Sequence, residues 1–310
     1  MDRCGSCAGP FLGLDPRAVG LTDALSADIE LLDELLGEVL AEQEDPRVLE
    51  LARQLYRDQH QGPRALVREM PELGDPRIVQ LLLRAYTVLF QLLNAAEQKE
   101  IVRVNRERQA RAPGAPRAES IQDTVLRLRD AGMTPREMRS LLERVEICPT
   151  LTAHPTEARR RSVLDKIHSI TQTLARMSRA PGVPHLDQPL DVEGLAREDL
   201  KRDLVALWKT DELRATPLTV GNEVRNALDF FTRSIFDVVA WLHDDLRCAL
   251  EAAWPGERFD LPRFLHYRSW IGGDRDGNPS VTPEVTWRTL VQHKRLAIEF
   301  YLGRVQQLRR

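Results

Sequence analysis

Cysteine is scarce in this chain: there are four among 310 residues, at positions 4, 7, 148 and 248. Cysteines spread so widely do not form the disulfide framework of a small secreted domain. Cys4 and Cys7 have the spacing of half a zinc site, but no second pair of cysteines or histidines completes it. We interpret this terminus as a frayed end and expect no metal site in the chain.

An excess of charge of one sign is also lacking. The chain has 44 basic and 47 acidic residues, a net charge of −3, which gives no general attraction to nucleic acid or to an anionic membrane. No apolar stretch approaches the roughly 20 residues that span a bilayer, and the N-terminus lacks a basic segment followed by an apolar one. We expect a cytoplasmic protein with neither nucleic acid nor a membrane as partner, in which any preference for anions is local.

Strand-like sequence is rare, whereas helical periodicity is abundant. The best strand candidate is VEICPTLT at 145–152, which is short, apolar and interrupted by proline. Elsewhere apolar residues recur at steps of three and four, which predicts long amphipathic helices. These cover 21–40, 75–108, 157–177, 194–214 and 221–253, and a last helix begins at Pro283 with Thr282 as its N-cap. Breaks rich in proline and glycine, at 110–118 and 178–190, separate helical blocks.

The last predicted helix has no stop signal. Its apolar stripe, formed by Ile298, Tyr301, Val305 and Leu308, runs into QQLRR, where no glycine, asparagine or proline ends the helix. An apolar stripe requires a partner. Either this helix packs on the segments already described, or the chain is the front part of something longer.

A histidine lies at the junction of the predicted strand and the next helix, in TLTAHPTEARRR at 150–161. Pro155 disfavours the α region for His154 and itself suits a first helical turn. Such a junction attracts anions through free N–H groups and the helix dipole. On a helical wheel Arg159 and Arg160 lie at the edges of the apolar stripe, and Arg161 lies opposite. The pattern favours a titratable ring beside a phosphate or carboxylate over a solvated run of charge.

A second cluster, RSWIGGDRDGNPSVTPEVT at 268–286, is rich in glycine. Its glycines permit positive φ angles or a close approach of the backbone to a ligand. The glycines are Gly272, Gly273 and Gly277, the charged triplet is Asp274, Arg275 and Asp276, and Trp270 precedes them. We weigh a simple turn and a site-forming loop about evenly.

The other histidines lack metal-ligand spacing; they are His60, His168, His185, His243, His266 and His293. In WKTDELRATP at 208–217, Lys209 and Arg214 are placed to interact with a helix C-terminus, and taken alone that is capping.

Together, TLTAHPTEARRR and SWIGGDRDGNPSVTPEVT resemble the two long N-terminal motifs of the phosphoenolpyruvate carboxylase family, in the same order. WKTDELRATP and LLNAAEQ at 92–98 are similar to that family less specifically. The resemblance implies carboxylation of phosphoenolpyruvate by bicarbonate, giving oxaloacetate and phosphate, in a cytoplasmic anaplerotic homotetramer with allosteric control. It implies Mg²⁺ or Mn²⁺ as cofactor, with metal ligands expected beyond residue 310.

The resemblance also assigns roles to residues. It makes His154 the catalytic histidine, and Trp270 part of the pocket around the substrate's methylene group. Arg275, in the same loop, is the second candidate for substrate binding. Arg160, Arg161 and Arg214 match arginines of a sugar-phosphate activator site, so the charge beside His154 divides between two phosphates.

The expected fold class is mostly α, as the N-terminal helical part of a (β/α)₈ barrel. Residues 1–144 are expected to form a helical lead-in, and residues 145–310 the start of the barrel with 145–152 as an early strand. We expect the chain to be truncated and inactive alone. Two alternatives stay open: a helical histidine phosphotransfer module that offers His154, and a helical scaffold without chemistry.

Overall fold

A computed structural model describes residues 9–60, 62–111, 116–152, 160–177, 192–211 and 219–309. Within these ranges the secondary structure is almost entirely helical, as the sequence predicts. The α-helices are α1 Asp23–Gln43, α2 Pro46–Arg57, α3 Pro63–Glu69, α4 Pro76–Arg111, α5 Ile121–Asp130, α6 Pro135–Leu142, α7 Arg161–Met177, α8 Val192–Trp208, α9 Val220–Phe230, α10 Phe236–Ala253 and α11 Pro283–Leu308. A 3₁₀ turn covers Pro71–Gly74, a π-helical turn covers Phe231–Ile235, and the strands are β1 Thr150–Leu151 and β2 Arg268–Ser269.

The helix starts follow local capping chemistry. Thr282 accepts a hydrogen bond from the Val285 N–H at 3.3 Å and Pro283 is the first residue of α11, which confirms that predicted start. Thr134 and Glu137 form a reciprocal capping box at α6. Short polar side chains therefore set where these helices begin.

The described helices differ from the prediction most clearly at three points. Helix α7 begins at Arg161, because the Arg160 carbonyl accepts the first helical hydrogen bonds from Val163 and Leu164; the predicted start at 157 lies outside the described residues. Helix α8 ends at Trp208 and not at 214, because the chain tightens into a turn in which Thr210 N–H bonds the Leu207 carbonyl. The helix predicted over 221–253 is interrupted by the π-helical turn, whose wider ring inserts an extra residue.

The chain divides into two compact units that alternate along the sequence. The first comprises Met1–Glu107 and Arg159–Leu213, and the second comprises Arg108–Ala158 and Arg214–Arg310. Neither unit is a continuous stretch of chain. The expected division into 1–144 and 145–310 is a different cut and stays a prediction.

The first unit has a large apolar core from α1, α2, α4, α7 and α8. Apolar residues at helical spacing fill it, as the periodicity predicts; they include Leu32, Leu36, Leu92, Ile170, Leu174, Leu200 and Leu204. By length and composition alone, Pro76–Arg108 could cross a membrane. In the described structure, however, its Ala85, Leu92 and Ala96 are buried in this core.

A buried carboxylate fixes the segment that precedes α1. Asp33 is 1% exposed and accepts hydrogen bonds from the N–H groups of Leu12, Gly13 and Leu14 at 2.9, 2.8 and 3.1 Å. Phe11 is fully buried beside it. A Cβ on Gly37 would lie closer than 3.0 Å to the backbone of Gly9, Pro10 and Phe11, so glycine is required there.

Charged side chains join α1 and α8 along their length. Arg197 pairs with Glu34 and Glu38, and Lys201 pairs with Glu38 and Glu42. Residue numbers rise together on both helices, so the two run parallel. The Trp208 indole N–H extends the series at 2.8 Å from Glu44 Oε1.

The second unit contains two smaller clusters. Helices α5, α6 and α10 surround Val125, Met138 and Leu250, while α9 and α11 enclose Val224, Ile271 and Val281. The far part of α11 packs much less. Its predicted stripe is largely exposed, with Tyr301 at 68% and Leu308 at 87%, so the described segments leave most of it uncovered.

Candidate functional site

Two short parallel strands organise the candidate site in the second unit. β1 pairs with β2 in the register Thr150 to Arg268 and Leu151 to Ser269, and an isolated bridge joins Ile147 to Leu265. The ladder continues past β2, because the Trp270 N–H donates to the Leu151 carbonyl at 2.8 Å. The strand predicted at 145–152 is therefore confirmed in part, with regular strand geometry over its last residues.

Parallel strands direct their carboxyl ends to the same edge of a sheet. In this pair, that edge follows Leu151 on one strand and Ser269 on the other. The histidine signature continues the first strand and the glycine-rich loop continues the second. The two motifs therefore leave the sheet side by side, although they are far apart in sequence.

His154, Arg159 and Arg214 lie outside the described residues. Of the signature's arginines, Arg160 is half-buried and Arg161 is exposed at the first position of α7. That difference agrees with the helical wheel, which places Arg160 at the edge of the apolar stripe and Arg161 opposite it. Both arginines belong to the first compact unit, whereas the glycine-rich loop belongs to the second.

The glycine-rich loop is held by its own hydrogen bonds. The N–H groups of Gly273 and Asp274 both donate to the Trp270 carbonyl, at 2.9 and 2.8 Å. Asp274 Oδ1 accepts from the Asp276 N–H at 3.0 Å, and Asn278 Oδ1 accepts from the Ser280 N–H at 3.0 Å. These side chains stabilise successive turns, so the loop has a defined shape.

The two candidate substrate-binding side chains project from this loop. Trp270 is 58% exposed, which leaves much of its ring available for an apolar contact. Arg275 is exposed and close enough to Glu284 to lower the pKa of that carboxyl, after the larger contributions of the Glu284 N–H and the Thr282 hydroxyl. The loop therefore offers an aromatic face and a cation.

Burial shifts the pKa of three groups around the strand pair and the loop. It raises the pKa of Glu223 on α9 and of Cys148 before β1, where a hydrogen bond from the thiol to Glu146 adds to the shift. It lowers the pKa of His293 on α11, whose Nε2 is buried without a hydrogen-bond partner. Desolvation disfavours the charged form in each case.

Sequence reasoning missed the residues that support the loop. Gly272 has φ +77°. A Cβ there would lie closer than 3.0 Å to Thr289 Oγ1 on α11, and 3.0 Å from Val224 Cγ2 on α9. Two of the three predicted glycines have positive φ, Gly272 and Gly277. At Gly272 the described close approach is to Thr289 and Val224. A buried threonine within an amphipathic helix is the weak signal that could have identified Thr289.

A divalent metal is implied by the resemblance, but the described residues do not fit one. Within the described ranges, no three side chains of histidine, cysteine, aspartate or glutamate are grouped so that they could hold a metal ion. The nearest approximation is Asp274 and Asp276, and one Asp274 oxygen already accepts a backbone N–H. We therefore derive no step through a metal from this chain.

Comparison with known proteins agrees with the motifs. A family model described as phosphoenolpyruvate carboxylase matches residues 25–310. A phosphoenolpyruvate carboxylase of Rhodothermus marinus is 41% identical over 309 residues, covering 97% of this chain and 32% of the relative. Those of Roseiflexus castenholzii and Rhodopseudomonas palustris are 32% and 35% identical over 93% and 92% of this chain, and over 31% and 30% of their own lengths.

The chain thus spans about a third of the length of the curated relatives that it matches. The match nevertheless covers both motifs, the strand pair with which they begin and nearly every described helix. The chain belongs to the phosphoenolpyruvate carboxylase family.

Proposed function

We propose that the protein carboxylates phosphoenolpyruvate with bicarbonate, forming oxaloacetate and phosphate as a carboxy-lyase. The observation that carries this proposal is the parallel strand pair, from whose carboxyl edge the histidine signature and the glycine-rich loop both emerge. Enzymes built on parallel strands place their chemistry at that edge. Family membership supplies the substrate class.

His154 is the proposed base. Phosphoryl transfer from phosphoenolpyruvate to bicarbonate gives carboxyphosphate and the enolate of pyruvate, and carboxyphosphate must lose a proton as it releases CO₂. A histidine has an ordinary pKa near neutrality, so it can accept that proton and pass it to the departing phosphate, which leaves as hydrogen phosphate. A neighbouring phosphate raises the pKa of the ring, whereas neighbouring arginines alone lower it.

Trp270 and Arg275 are proposed to bind the substrate. The exposed indole supplies an apolar surface for the methylene carbon that receives CO₂, and an apolar surface also keeps water from protonating the enolate there. The Arg275 guanidinium supplies a fork of donors for a carboxylate or phosphate. The defined loop holds both groups at the same edge.

Arg160, Arg161 and Arg214 are proposed to bind a phosphorylated activator. Arg160 is half-buried and Arg161 is exposed, so the two arginines of the signature can contact a bound phosphate from different depths. Arg214 follows the end of α8, where Arg84 stacks on Trp208 at 4.9 Å and donates to the Thr210 carbonyl at 2.9 Å. That contact fixes the last described turn before Arg214.

The remaining family features are proposals for the whole protein. We propose a (β/α)₈ barrel that begins with β1 and β2, a cytoplasmic homotetramer, and Mg²⁺ or Mn²⁺ bound by residues that correspond to the unmatched two thirds of the relatives. The exposed stripe of α11 supports further packing partners. We propose that residues 1–310 alone do not turn over.

The test measures carboxylation by the protein in its full length, with oxaloacetate coupled to NADH oxidation by malate dehydrogenase. For His154→Ala we expect a loss of roughly a hundredfold or more, because a general base is removed. His168→Ala is the matched control, since His168 is an exposed histidine on α7 that pairs with Gln172 at 2.8 Å. Full carboxylation by His154→Ala would contradict the assigned role, and an inactive unmodified protein would contradict the function itself.

A further inference from the structure

The turn that carries Trp270 is held from three sides within the second unit. Its backbone N–H is bonded to the Leu151 carbonyl of β1 at 2.8 Å, and its carbonyl accepts from Gly273 and Asp274. Gly272, at the apex, lies against α9 and α11. By contrast, the Trp270 side chain is mostly exposed. Its position is therefore set by the backbone of the turn and not by packing of its ring.

Thr289 is the closest support under that apex. It is 6% exposed, and its hydroxyl donates to the Val285 carbonyl at 2.9 Å, which fixes the side-chain rotamer. With the rotamer fixed, Oγ1 and Cγ2 both face the space that a Cβ on Gly272 would need. Val224 Cγ2 closes the same space from α9 at 3.0 Å. The apex consequently has no room to move toward either helix.

We propose that Thr289 is a positioning residue for substrate binding: through its contact with Gly272 it sets the orientation of Trp270 and Arg275 relative to the end of β1. This inference rests on the proposed function, in which those two side chains bind phosphoenolpyruvate. Thr289 itself does not touch substrate. Thr289 acts only by fixing the position of the turn's backbone. A displacement of about 1 Å in the substrate-binding side chains is enough to weaken binding or slow the reaction.

The first test is a set of variants at the contact, made in the protein at full length. Gly272→Ala adds a methyl group that must displace the turn, and we expect the KM for phosphoenolpyruvate to rise at least about tenfold with a smaller change in kcat. Thr289→Ala removes the support, and we expect a rise of about threefold. Thr289→Ser keeps the hydroxyl that makes the closest contact, so it is expected to retain the unmodified KM.

Coupling between the two positions separates positioning from simple loss of stability. In the double variant Gly272→Ala, Thr289→Ala, the added methyl group occupies the space that threonine leaves, so we expect KM to be lower than in Gly272→Ala alone. Gly256→Ala is the control, because Gly256 has φ +86° with nothing within 4 Å of its Cβ position. It has the same backbone strain without the contact, and its KM is expected to be unchanged.

A second readout does not depend on activity. Acrylamide quenching of Trp270 is obtained by comparing each protein with its Trp270→Phe counterpart, since the chain has five tryptophans. We expect Thr289→Ala to change the quenching of Trp270 and Thr289→Ser to leave it unchanged. If Gly272→Ala does not fold, the alanine and serine variants at position 289 still decide the question.

The inference is overturned if the unmodified protein carboxylates phosphoenolpyruvate but Thr289→Ala keeps both its KM and the quenching of Trp270. It is also overturned if the double variant is no better than Gly272→Ala. Should the unmodified protein lack carboxylation altogether, the proposed function fails, and the quenching measurements still report whether Thr289 positions the turn.

Discussion

Asp33 offers the sharpest test of how the first unit is held together. Its carboxylate accepts three backbone N–H groups from Leu12, Gly13 and Leu14 and is almost fully buried. Asp33→Ala removes these acceptors without changing the segment itself. Each buried donor left without a partner costs about 1–3 kcal/mol. Gly13 is exposed, so its N–H can bond to water instead. We therefore expect a cost per donor at the lower end of this range, and a total loss of about 3 kcal/mol.

Hydrogen exchange at Leu12, Gly13 and Leu14 is the appropriate assay, because a chain with two compact units need not unfold in one step. The three amides are expected to lose protection together, at a free energy of opening about 3 kcal/mol lower. Glu34→Ala is the control, since this neighbouring carboxylate pairs with Arg197 at 3.2 Å and is 51% exposed, so its loss costs about 1 kcal/mol at most. Unchanged protection in Asp33→Ala would refute the reasoning that Asp33 holds this segment.

Two further predictions concern pH. Lys99 and Asp28 form a buried pair with Nζ and Oδ1 2.7 Å apart, and burial raises the pKa of Asp28 despite Lys99. Lys99→Met should lower the free energy of opening of the first unit by about 3 kcal/mol at pH 7, measured by hydrogen exchange at the amides of α1. Lys99 lowers the pKa of Asp28 against the effect of burial, so its removal raises that pKa further. The deficit should therefore shrink as pH falls, because the folded variant takes up a proton on Asp28 at a higher pH than the folded unmodified protein does; a pH-independent deficit would contradict this reasoning. Burial lowers the pKa of His293 below 6.5, so the unfolded chain binds its proton first and stability should fall as pH drops through 6.5. His293→Phe should flatten the stability curve in that window, and an equal slope in both proteins would exclude His293 as its source.

Much of the helical structure could be predicted from the sequence, because the features that specify a helix, its apolar spacing and its capping residues, are local in sequence. The three- and four-residue steps of α1 and α4 place their buried residues correctly, and Thr282 with Pro283 marks the start of α11. Helix ends were predicted less well. The end of α8 depends on Arg84, which comes from a distant helix to bond the Thr210 carbonyl, and no local pattern contains that contact.

The candidate site divides in the same way. Residue type and spacing identify His154, Trp270 and Arg275 as candidates, because their chemistry is visible in the motif. The support beneath them was not predicted. The sequence does not predict β2, since a strand of two residues has no periodicity and forms only by pairing with β1. Thr289 likewise acquires its role through a contact with a glycine on another segment.

The alternation of the two units has a consequence for synthesis on the ribosome. The apolar face of α1, including Leu36, emerges early. Leu204 of α8, which packs in the same core, emerges only after the whole of the second unit's first segment, Arg108–Ala158, has been made. At about 5–20 residues per second, synthesis of the chain between Leu36 and Leu204 takes roughly ten to thirty seconds. Until α8 is made, the apolar face of α1 can pack only against α2, α4 and α7, as each of these emerges. The nascent chain is therefore most prone to misassociation in this interval. A pause in translation before α8 would lengthen the time for which the apolar face of α1 is incompletely covered.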